Sequence, residues 1–401
     1  MKYLVLLLFL PCSFCFSQKV YDSLDYDNTF AAYHANTMST HPFGIFISRI
    51  SPDFQLKPSK KISVSLTISS GNVWLPYVKA YIPVNEADRD AMSRLIWHER
   101  EGNFDLQNTP SRTMDFEADG TIRLCLVKLN IPVSRTSELR ISTRMFSLDS
   151  GRLPYSSLTS DQFIEWFHSH ISGGEDPFAR KVYGYNHACI AYTDQDGNVF
   201  RMQNHQSLFT GIDLSYYYYP QFTWFENRNF YTSLGFQLGI NVNKVNAAAD
   251  FGINPTLVKR FILTKHSEIH FGAGLGLLKQ SVVRFKEGVA LSNADFLFSS
   301  EFLLKYLIRF RNLNSLSLAT NYWIQNAYNK PHEFDYMVLT GERISTHWNY
   351  AISHLYRPIT ANSLIITYTK GDLAFSVYFR EDLLVDNAPD LQTGVGVMIK
   401  L

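Results

Sequence analysis

What this sequence lacks narrows the field before any motif is read. It has four cysteines in 401 residues. Cys12 and Cys15 lie in the N-terminal apolar segment, which leaves Cys125 and Cys189. Two such distant cysteines make no disulfide framework and no metal-ligand spacing. A formal net charge of +1 gives no electrostatic footprint for nucleic acid. After the first 17 residues, polar or charged residues interrupt every apolar run, so no helix approaches the ~20 apolar residues needed to cross a bilayer. The chain holds 12 histidines and many serines, yet no nucleophile motif singles out a pair. No cofactor and no metal are expected.

The N-terminus is the first positive feature. Met1-Lys2 is a basic start, Tyr3 to Phe16 is apolar, and Cys15-Phe16-Ser17 before Gln18 suits cleavage. Residues 1–17 therefore read as a signal peptide, too short for a membrane anchor. Residues 18–60 are polar and weakly patterned, and they read as a periplasmic N-terminal segment or plug. Residues 61–401 carry the main pattern.

That pattern has a period of two. Phe230, Thr232, Leu234, Phe236, Leu238, Ile240 and Val242 alternate with Tyr231, Ser233, Gly235, Gln237, Gly239 and Asn241. Strand side chains point to opposite faces in turn, so this is a long strand with one greasy face. Similar runs recur at 62–68, 212–218, 269–277, 296–310, 364–368, 373–379 and 395–401. Without a spanning helix, an exported chain of this kind can cross a membrane only as a closed barrel. The 30 Phe, 23 Tyr and 6 Trp, 15% of the chain, suit lipid-facing and interfacial positions. The fold expected is an all-β antiparallel transmembrane barrel of roughly 12–14 strands in a Gram-negative outer membrane.

Charges interleave with the greasy rows. Arg123 falls between Ile122 and Leu124, Arg140 and Arg144 alternate with Leu139, Ile141 and Met145, and Glu301, Lys305 and Arg309 oppose Phe302, Leu304 and Ile308. A charge on the lipid face costs ~2–4 kcal/mol at mid-membrane. Arg123, Arg140, Arg144, Glu301, Lys305 and Arg309 are therefore expected to face the lumen.

One segment does not alternate. From Thr159 to His170 a helical reading puts Phe163, Trp166, Phe167 and His170 on one face, and Asp161, Glu165 and His168 on the other. Thr159 or Ser160 caps its start and Gly173-Gly174 ends it. The helix is expected to plug the lumen, lie at the bilayer surface or rest under the periplasmic rim, with its greasy face packed against the barrel wall or into its mouth. Asp161, Glu165 and His168 would then be left to water as a ligand-binding or gating set. Glu165-x-x-His168 is half of a carboxylate metal motif with no second half in view.

The run Asp161-x-Phe163-Ile164-Glu165-x-Phe167-His168, followed by Gly173-Gly174, resembles the hallmark of a Gram-negative outer-membrane barrel family known only as a domain of unknown function. The resemblance implies a barrel over nearly all of the mature chain and no particular activity. Two readings of function follow. The first is a passive or ligand-selective channel, or a structural barrel. The second is an outer-membrane lipid-modifying hydrolase with residues at the rim. The polar inward faces favour the first. The expected partners are outer-membrane lipids, lipopolysaccharide and the barrel-insertion machinery, with no nucleic acid.

Overall fold

The computed structural model describes residues 43–82, 85–87, 90, 96–97, 100–101, 112–152, 154–172, 184–194, 196–292, 294–310, 314–329, 338–339, 357–381 and 391–401. The segment expected to be a signal peptide lies outside them. Twelve long antiparallel strands form the barrel. They are β1 (Ser63–Ile82), β2 (Arg112–Ser134), β3 (Ser137–Asp149), β4 (Ser207–Tyr218), β5 (Phe230–Asn241) and β6 (Ala247–Ile262). The second half comprises β7 (Ser267–Lys286), β8 (Phe296–Arg309), β9 (Asn314–Gln325), β10 (Ile359–Lys370), β11 (Leu373–Glu381) and β12 (Leu391–Lys400). Each strand pairs with its sequence neighbours. The register from Ser63↔Lys400 to Gly71↔Gln392 joins β1 to β12 and closes the sheet. Closure removes the edges that an open sheet would leave unpaired.

The alternation places greasy residues outside. Phe236, Leu238, Phe302 and Leu304 are exposed, while Gln237, Glu301 and Lys305 are buried. Ile308 is half-buried on the outer row. The outward belt also carries Leu66 and Ile68 on β1, Leu364 and Ile366 on β10, and Val395 and Ile399 on β12.

The two rims differ. At the rim holding Ser63 and Lys400, here the near rim, strands join through short links. Examples are 134–137, 309–314 and the turn at Lys370-Gly371-Asp372, where Gly371 takes φ +58°. Positive φ suits the tight hairpin turns that match strand twist. The longest near-rim link, 218–230, holds the single-turn helix α1 (Thr223–Glu226). At the far rim most links are longer, although 241–247 is short. The connection 150–206 carries a 3-10 turn (Pro154–Thr159), the helix α2 (Asp161–Phe167) and a hairpin of Cys189–Thr193 with Val199–Gln203.

That hairpin turns through Asp194 to Asn198. It is outside the barrel ring. Cys189–Thr193 pairs with Asp115–Asp119 of β2, above the stretch where β3 is the partner.

Candidate functional site: the occupied lumen

The lumen holds the chain's own residues 43–58. They make no ladder with the wall and run from the far rim to the near rim. Wall side chains satisfy their backbone one group at a time. Asn246 Nδ2 donates to Phe46 O (2.8 Å), Arg144 Nη1 to Ile47 O (3.1 Å) and Gln237 Nε2 to Arg49 O (2.8 Å). Further down, the Tyr217 hydroxyl donates to Ser51 O (2.9 Å), and the Ser233 and Thr256 hydroxyls both donate to Asp53 O. A buried backbone carbonyl without a partner is costly, so these donors are what allow an irregular segment to sit there.

Side chains complete the fit. Ser48 donates its hydroxyl to Asp213 (2.8 Å) and its backbone N–H to Asp250 (3.1 Å). Asp53 pairs with Tyr219 and stands 3.5 Å from Arg140 Nη2. The Arg49 guanidinium lies 3.6 Å over the Trp323 ring, with Arg380 at 5.0 Å from the same ring. Gln55 and the Ser59 N–H both donate to Glu138 near the near rim. The wall makes room with glycine: a Cβ on Gly272 would stand 2.6 Å from Phe54 Cδ1. The barrel is plugged.

The far end of the plug is packed among apolar side chains. Phe43 packs on Tyr192 and Phe46 on Phe200, each with ring centroids 4.8 Å apart. Ile190 and Met202 of the same hairpin are also buried. Tyr192 donates to Ala290 O, and Asp194 accepts from the Ala290 N–H, both at 2.9 Å. The hairpin therefore bridges from β2 to the β7–β8 link and covers the end of the plug.

Five of the six predicted lumen charges face inward. Arg140 donates to Asn130 (2.7 Å) and Glu138 (2.9 Å). Arg144 reaches Ser48, Asn241 and Asp213, so it clamps plug and wall together. Glu301 accepts from Asn321 (2.7 Å). Arg309 donates to Glu268 (2.8 Å), which also holds Arg260 and His270. Lys305 is buried directly across from His270.

Arg123 corrects the reading. Ile122, Leu124 and Leu126 are the inward, buried residues of β2, so Arg123 and Cys125 fall on the outer face. Arg123 forms an ion pair there with Asp149. The far-rim inward residues of β2 are greasy because they pack in one apolar cluster with the plug and the hairpin.

The helix is faced differently from the expectation. Ser160 caps α2, its hydroxyl accepting from Phe163 N (3.2 Å). The segment lies on the outer face of the wall, and its polar side is turned inward onto it. Asn72 Nδ2 donates to Asp161 (2.9 Å) and to Thr159 O (3.1 Å), and the Ser70 and Thr159 hydroxyls meet at 2.5 Å. Asp161, Ile164 and Glu165 are buried, His168 is half-buried, and Trp166 is exposed. Phe163, Trp166, Phe167 and His170 do stack along one side, as the helical spacing predicts. That side does not face the wall. Among the described residues no group of three or more His, Cys, Asp or Glu could hold a metal. His170 Nδ1 meets Trp166 O and His270 Nε2 meets Glu268, so neither contact is with a serine.

Sequence reasoning missed Asp53, Arg49, Asp213, Asp250, Arg260 and Glu268. The last four sit at inward positions of strands and were open to the parity argument. Asp53 and Arg49 were not, because the plug has no periodicity.

No family model matches the chain, and no curated protein matches it. Solved structures do. An outer-membrane channel from Pseudomonas putida F1 aligns over 88% of this chain and 100% of its own, with TM-score 0.40 and 7% identity. The NanC porin aligns over 84% of this chain and 100% of its own, with TM-score 0.36 and 6% identity. The CymD monoaromatic hydrocarbon channel aligns over 93% and 95%, with TM-score 0.29 and 9% identity. At such scores none of them carries a function over to this chain.

Proposed function

We propose that this chain is an outer-membrane barrel that acts as a ligand-selective channel, gated by its own N-terminal residues 43–58. The observation that carries the reading is the way the plug is held. Single side-chain hydrogen bonds fix it, where a barrel strand would be held by a continuous ladder. Such contacts are made and broken one at a time, while a ladder is cooperative.

The membrane setting rests on the outward apolar belt with polar and charged residues inside. Mostly short near-rim links and mostly longer far-rim links suit the periplasmic and external ends of such a barrel. The mid-chain motif resembling an uncharacterised Gram-negative barrel family supports the same setting. Outer-membrane lipids and lipopolysaccharide would be the surroundings of the belt, and the barrel-insertion machinery its assembly partner. A purely structural barrel is the second reading, favoured by the apolar packing of Phe43 and Phe46 at the far mouth.

Conductance in planar lipid bilayers separates the two. The wild type should conduct weakly. Arg144→Ala combined with Asp53→Ala removes two plug clamps without touching the belt, and should raise the open fraction. Equal conductance of variant and wild type would remove the gate. If neither conducts, the structural barrel is the better description.

A further inference from the structure

The outer wall carries a polar patch at a depth where other strands carry Phe and Leu. Ile62 and Phe310 both lie at the near rim, Ile62 bonded to Leu401 and Phe310 to Asn314. Eight positions further along, β1 reaches Ser70 (62 to 70) and β8 reaches Phe302 (310 to 302). Phe302 is exposed belt, whereas Ser70 is buried under the segment 154–172. The bare apolar run of β1 covers only Ile62 to Ile68, shorter than the ~9–11 residues of a spanning strand.

Asn72, Thr121, Arg123 and Asp149 share this patch. Thr121 donates to Thr159 O (3.2 Å), and Asp149 accepts from Gly151 N (2.6 Å) and pairs with Arg123. The segment therefore covers the groups that lipid would penalise. On its far side it presents Leu158, Trp166 and Ile171, exposed by 45%, 48% and 60%. These continue the belt above Leu66 and Ile68.

We infer that the segment 154–172 is a lipid-facing cover, with Leu158, Trp166 and Ile171 set among the acyl chains of the outer leaflet. It completes the apolar belt over β1, β2 and β3, where the wall itself is polar. A tryptophan beside the belt end suits the boundary between acyl chains and headgroups. The polar face of α2, which sequence spacing offers to a ligand, is consumed by its attachment to the wall. This inference rests on the membrane reading above, and the test separates the two.

The full chain is refolded into vesicles of phosphatidylcholine brominated on its acyl chains, and tryptophan emission is compared with that in unbrominated vesicles. The expected result is a quenched component that is lost on Trp166→Phe. Phe302→Trp, placed in the Trp166→Phe background, should restore quenching from the belt itself. Equal quenching in wild type and Trp166→Phe, with Phe302→Trp quenched, would overturn the cover and leave the barrel in the membrane. Absence of quenching at both positions would overturn the membrane reading, and this inference with it.

Discussion

The Ser48 hydroxyl occupies the space that a Cβ on Gly239 would fill. Plug and wall are so close there that only glycine fits. Gly239→Leu should push the plug from its seat and lower stability by about 1–3 kcal/mol, the usual range for overpacking. Urea unfolding of the vesicle-inserted protein measures it. An unchanged midpoint would mean that the plug is not seated on β5.

Glu268 is the single acid among Arg260, Arg309 and Lys305 at the near end of the lumen. Its side chain is 1% exposed and accepts from Arg260 at 2.5 and 2.7 Å. Removing one partner from a buried ion cluster leaves charge uncompensated, at about 3–5 kcal/mol. Glu268→Gln should cost about that much in the same unfolding assay. A loss well under 1 kcal/mol would show that water reaches the cluster.

Leu304 and Lys305 are neighbours in sequence on opposite faces of β8. Leu304→Arg should cost ~2–4 kcal/mol of folding into lipid, because the charge meets the belt. Lys305→Met should fold at least as well as wild type, since it removes a buried cation from a cationic cluster. Similar damage from both changes would contradict the assignment of faces.

Cys189 begins the far-rim hairpin. Burial pushes its thiol above the ordinary range, and Glu117 nearby adds to the shift. The thiolate is the reactive form. Maleimide labelling of Cys189 should therefore be slow at neutral pH, and should keep rising at pH values where an ordinary thiol has levelled off. Replacing Cys12, Cys15 and Cys125 by serine isolates the signal. A rate that levels off by about pH 10, where an ordinary thiol is fully ionised, would show the thiol to be unshifted.

The barrel was legible in the chain because lipid and lumen impose opposite demands on adjacent residues. Phe236 beside Gln237 and Leu304 beside Lys305 satisfy both demands in two letters. The glycines at 239 and 272 were legible as inward and small, but their reason was not. They are small because residues 48–54 lie against them, some two hundred positions away in sequence. The plug itself has no period, since each backbone group finds a different wall side chain. Arg123 misled because alternation fixes which residues share a face and leaves open which face is inside. The α2 helix misled for a related reason. Its greasy side was assumed to seek the protein, but the nearest protein surface is polar.

The plug's place also constrains how the molecule can be made. Ser48 touches Asp250 across 202 positions of sequence, while the seam from Ser63 to Lys400 unites the two ends of the sheet. A cylinder sealed first would have to be threaded by a loose end. A sheet that curls round residues 43–58 while its seam is still apart meets no such obstacle. The first segment then serves as a mandrel, and the last strand to arrive locks it in.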